Sequence, residues 1–121
     1  TIDFNIDSVT EMQLLSNGDL HVEGDVIAAS STVASDINLK DDIELIEAPL
    51  DVISQLRGVT FSWKKDGLKS AGIIAQDVEA VMPELIKDAG THLTVNYNGL
   101  IGLLVESVKE LQKEVEQLKN Q

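Results

Sequence analysis

Cysteine is absent from these 121 residues, aromatic residues make up only 3% of them, and proline and histidine occur twice each. Without cysteine there are no disulfides, no thiol nucleophile and no cysteine-held zinc or iron–sulfur site. The shortage of rings means that whatever core the 43% of hydrophobic residues build is aliphatic and of modest size. His21 and His92 are isolated, so surface positions are expected for both, with no metal and no cofactor. No apolar run approaches the roughly 20 residues of a membrane-spanning helix, and no charged-then-apolar leader pattern appears, so the chain reads as soluble, non-secretory and without a membrane partner.

Positive charge is the other scarcity. Nine basic residues against 21 acidic ones leave a formal charge of −12, which repels phosphate backbones and excludes nucleic acid as an expected partner. The acids are spread along the chain and match no EF-hand loop, so they read as a solubilising surface.

What is present divides at about residue 35. Residues 1–34 carry apolar positions broken by turn signals: Met12, Leu14 and Leu15, then Asn17-Gly18, then Leu20 and Val22, a turn at Glu23-Gly24-Asp25, and Val26-Ile27. Asn-Gly between such runs predicts a hairpin. So short a stretch of strands cannot enclose a core, which predicts that it pairs with other copies of itself or finishes a longer β-structure upstream. Ala28 to Ala34 are small and uncommitted, as in a linker or protease-accessible segment.

The remainder reads as α+β. Asp41 and Asp42 are placed to start a helix whose apolar positions Ile43, Ile46, Leu50, Ile53 and Leu56 step by three and four, with Pro49 dividing it in two. Strands are expected at 59–63 and 71–75, a helix at 76–82 stopped by Pro83, and short strands at Leu85-Ile86 and 93–95. Gly67-Leu68-Lys69-Ser70 lacks the upstream glycine of a phosphate-binding loop and reads as an ordinary turn. Trp63 is expected in a core or an intersubunit contact, and Tyr97 and Asn98 are expected to cap the helix that follows. Residues 97–120 form the clearest helix: Ile101, Leu104, Val108, Leu111, Val115 and Leu118 repeat in the alternating three and four steps of a coiled-coil seam. In a parallel register Glu114 would face Lys119 of a neighbouring copy. Packing of the first half of this helix on its own domain is the competing expectation.

Ser35 and Lys40 are the candidate chemistry. A serine hydroxyl beside a neutral lysine amine suffices to cut an amide without histidine or metal, although two such residues five apart are common in any chain. The surrounding segments sharpen this. Ser35-Asp36-x-x-Leu39-Lys40-x-x-Ile43, Leu56-x-x-Val59-x-Phe61-x-Trp63, Gly72-Ile73-Ile74-Ala75-Gln76-Asp77-Val78, Pro83-Glu84 and Tyr97-x-x-Leu100 follow in order. Together with the terminal helix they resemble the C-terminal intramolecular chaperone and self-processing domain of phage tail spikes, tail fibres and endosialidases.

The resemblance covers residues 35–121 and implies a homotrimer. That trimer aligns and folds the upstream fibre of the same polypeptide in the host cytoplasm, then releases itself by autoproteolysis while residues 1–34 stay with the virion. It places the cut at Ala34–Ser35, with Ser35 as nucleophile and Lys40 as general base and acid, and with Asp36 and Gln76 as supporting residues. Such a role requires the Lys40 pKa to fall well below 10.4. The apolar neighbours Ile37, Leu39 and Ile43 and the positive end of a helix at Asp41 are the expected causes, opposed by Asp36, Asp41 and Asp42. Assembly of the pair only in the trimer would resolve that conflict. Two other classes compete: a coiled-coil module that assembles fibres and never cuts, and a sugar-binding or sugar-cleaving fibre tip. The tip reading is disfavoured because residues 1–34 hold no aromatic but Phe4 for stacking sugars.

Overall fold

The computed structural model describes all 121 residues and divides into two units, Thr1–Asp41 and Asp42–Gln121. It is a mixed α/β structure of short strands ending in one long helix. No helix is long and apolar enough to cross a membrane.

The first unit is an antiparallel meander of β1 (Ile2–Ile6), β2 (Val9–Leu14) and β3 (Leu20–Val22). The hairpin between β2 and β3 turns at Asn17-Gly18 as the sequence predicts. Gly18 takes the left-handed φ of 92° that a side chain would resist, and Asn17 Oδ1 accepts from the Asp19 amide at 3.0 Å. The hairpin between β1 and β2 was not legible. Its two turn residues, Asp7 and Ser8, both hold positive φ (50° and 66°), the condition for a tight hairpin turn, without the glycine that usually advertises one. After β3 the chain bends at Glu23-Gly24 and runs without regular structure to Asp36, so Val26-Ile27 form no strand.

In the second unit the helix expected from Asp41 is absent as far as Pro49. Asp42 and Ala48 both take left-handed φ (53° and 47°), which no α-helix accommodates, and helix α1 (Pro49–Ile53) begins with proline at its first position. Pro49 is therefore a start signal and not a divider. Strand β4 (Val59–Ser62) pairs antiparallel with β5 (Lys69–Gly72), Phe61 opposite Ser70. Strand β5 thus ends where a buried strand was expected to begin, and it is largely exposed. Its apolar continuation, Ile73-Ile74, leads directly into α2 (Ala75–Val81). Pro83–Leu85 form a 3₁₀ turn, and β6 (Ile86–Asp88) and β7 (Leu93–Val95) make a hairpin.

The core of this unit is Val78, Met82, Leu85 and Leu103, flanked by aliphatic side chains that include Ile46, Ile53 and Leu56. No ring belongs to it. Trp63 stands 51% exposed, edge-on to Phe61 at 5.0 Å, and so lies outside the core of its own chain. Arg57, just beyond α1, forms two hydrogen bonds with Asp77 on α2, at 2.8 and 3.3 Å. The bonded carboxylate and its charge raise the guanidinium pKa further.

The long helix α3 (Gly99–Lys119) has two faces. Leu103 and Ser107, four residues apart, are buried against the unit, which bears out packing of the first half on its own domain. Ile101, Leu104, Val108, Leu111, Val115 and Leu118 lie 47–66% exposed. Asn98 occupies the cap position but makes no side-chain capping bond. Tyr97 does not cap either: its hydroxyl reaches back to accept from the Ile73 amide at 3.2 Å, tying the start of α3 to the segment after β5.

Candidate cleavage site

The chain from Ser35 to Lys40 is shaped by one acidic side chain. Asp36 sits in extended backbone and its Oδ1 accepts from the Asn38 amide at 2.8 Å, which caps a single 3₁₀ turn over Ile37–Leu39. Two further backbone bonds close the turn, Leu39 N to Asp36 O at 3.0 Å and Lys40 N to Ile37 O at 3.2 Å. Lys40 then returns to extended backbone, and its side chain folds back across the turn. Its Nζ donates to Ser35 Oγ at 2.6 Å.

The two residues named from sequence are therefore hydrogen-bonded within a single chain. Trimer assembly is not needed to bring them together. Both are exposed, and so are Ile37 and Leu39 at 70% and 71%. Because no helix starts at Asp41, no helix dipole bears on Lys40. Gln76 lies exposed in the first turn of α2, in the other unit. The capped turn was not legible in the residues alone, since Asp36 reads equally well as a surface acid.

Residues 35–87 match a peptidase family described as chaperone of endosialidase. Over those residues the chain is similar to that family, in line with the order of its motifs. It is also similar to the long tail fiber protein Gp37 of Salmonella phage S16, 36% identical over 122 residues that cover 89% of this chain and 16% of that protein. The Gp37 proteins of Enterobacteria phages K3 and T2 are each 33% identical over 114 residues, covering 86% of this chain and 9% and 8% of theirs. The chain thus spans about a sixth or less of the length of these relatives. The stretch similar to that chaperone family is preceded here by a short stretch of β-structure.

Proposed function

We propose that three copies of this chain clamp together through α3 and the body of the second unit, hold the upstream fibre strands in register while they fold, and then cut themselves free between Ala34 and Ser35. The observation that carries the cleavage reading is the 2.6 Å bond between Lys40 Nζ and Ser35 Oγ, at the first residue of the family match.

Neutral Lys40 takes the Ser35 hydroxyl proton as Oγ attacks the Ala34 carbonyl carbon. The Ala34–Ser35 C–N bond breaks, Lys40 returns the proton to the leaving nitrogen, and the Ala34 acyl group passes to Oγ as an ester. Water hydrolyses that ester, leaving a carboxylate on Ala34 and a free amine and hydroxyl on Ser35. Covering the exposed Ile37 and Leu39 with neighbouring chain would withdraw the Lys40 amine from water, which favours its neutral form. Assembly then switches on a pair whose geometry is already set.

The exposed seam of α3 supports the clamp. From Val108 to Leu118 a row of aliphatic side chains at coiled-coil spacing stays about half or more exposed and outside the core, while the inward face holds the helix to its unit. Intertwined β-fibres form slowly because their contacts are distant in sequence, and a clamp that raises the effective concentration of strand ends shortens that search. Removing it afterwards leaves a product protected by a kinetic barrier. Sedimentation equilibrium of Ser35→Ala tests the clamp: a mass of three chains is expected, and a monomer at micromolar concentration contradicts it. In the parent, N-terminal sequencing of the released piece should begin Ser35-Asp36, and any other start moves the cut.

A further inference from the structure

The register of the meander sorts its side chains by face. Ile2 pairs with Leu14, Phe4 with Met12 and Ile6 with Val9; Met12 and Leu14 pair in turn with Val22 and Leu20. Paired residues share a face, so one side of the sheet is wholly aliphatic but for Phe4. The other side carries the row Asp3, Gln13 and His21, with Gln13 Nε2 donating to Asp3 Oδ1 at 2.9 Å. A bulge keeps this division clean. Were Glu11 paired in an unbroken register, Ile6 would oppose Thr10; because Glu11 bulges out, Ile6 opposes Val9.

Nothing in the first unit covers the apolar side. Ile2, Phe4, Ile6, Val9, Leu14 and Leu20 are 37–64% exposed side by side on this face, and a clustered apolar surface of that kind marks an interaction site. The segment that follows is not laid over it, for Val26, Ile27 and Val33 are themselves 63–94% exposed. β1 is an edge strand, so strands added upstream can extend the sheet through it without covering this face. In a chain of charge −12, an uncharged face is the surface through which like copies meet without repulsion.

We propose that this apolar face is an interface between copies, packing against the same face of neighbouring chains about a shared axis, so that residues 1–22 form an intermolecular core that outlasts removal of the clamp. The inference rests on the assembly reading above and adds which surface meets which.

The absence of cysteine makes the test direct. Met12→Cys and its neighbour Gln13→Cys, on opposite faces of the central strand, are each made in full-length Ser35→Ala. Each is treated with a short bifunctional maleimide suited to the roughly 10 Å between packed sheets. Sedimentation of the same samples reports assembly. Bands of twice the chain mass on a denaturing gel for Met12→Cys, and none for Gln13→Cys, are the expected result. Assembled chains that cross-link through Gln13→Cys, or through neither, overturn the face assignment while leaving the clamp intact. Chains that stay monomeric overturn both.

Discussion

Lys40 Nζ donates to Ser35 Oγ at 2.6 Å across a 3₁₀ turn of three residues, a contact made entirely within one short stretch of chain. Local structure alone thus brings this hydroxyl and this amine together.

Asp36 is the residue that sets the turn. Asp36→Ala removes the acceptor of the Asn38 amide, and loss of a cap of about 1 kcal/mol should slow cleavage roughly fivefold without moving the cut. Asp36→Asn keeps an acceptor oxygen and should cleave near the parental rate. A time course by mass spectrometry distinguishes the two, and equal rates for both variants would remove the capping role.

Ser107 is 4% exposed, and its hydroxyl has no hydrogen-bond partner. Replacing it with alanine removes an unsatisfied polar atom and improves helix propensity, so Ser107→Ala should stabilise the second unit by about 1 kcal/mol. Denaturant unfolding followed by circular dichroism checks this.

A side chain at Gly99 would run into Leu85, which is itself in the core. Gly99→Ala should destabilise by about 1–3 kcal/mol as Leu85 is driven from its site, outweighing the helix-propensity gain. At Gly72 a methyl would lie 2.6 Å from the Tyr97 hydroxyl, so Gly72→Ala should break the Tyr97 link to Ile73 and shift the Tyr97 ring resonances.

Val108 and Leu111 lie on the exposed seam of α3 at 64% and 49%. Val108→Asp and Leu111→Asp should each reduce the assembly to monomers by sedimentation while the thermal unfolding of the monomer stays cooperative, because neither side chain belongs to the core. Cleavage should fall with assembly. Undiminished cleavage in a monomeric variant would sever the two.

Much of this was legible because the signals were local and periodic. The α3 helix, the Asn17-Gly18 hairpin and the strand of Val59 to Ser62 follow from spacing and turn chemistry. What failed has specific causes. Apolar steps from Ile43 to Leu56 mimic a helix, yet the left-handed backbone at Asp42 and Ala48 breaks it, and the hydrophobic positions serve a bent segment around the core instead. The run from Ala71 to Ala75 looked like one buried strand, but strand pairing stops at Gly72, where the Tyr97 hydroxyl occupies the space beside its Cα. The Ser35–Lys40 pair was found by motif, whereas its geometry depends on Asp36, whose capping bond leaves no periodic trace.

Intact-mass spectrometry of the parent beside Ser35→Ala and Lys40→Ala is the most direct test of the self-cutting clamp. The parent should yield fragments 1–34 and 35–121, and each variant a single uncut chain. A parent that assembles and remains uncut, or a Lys40→Ala chain that cuts as fast as the parent, would contradict it.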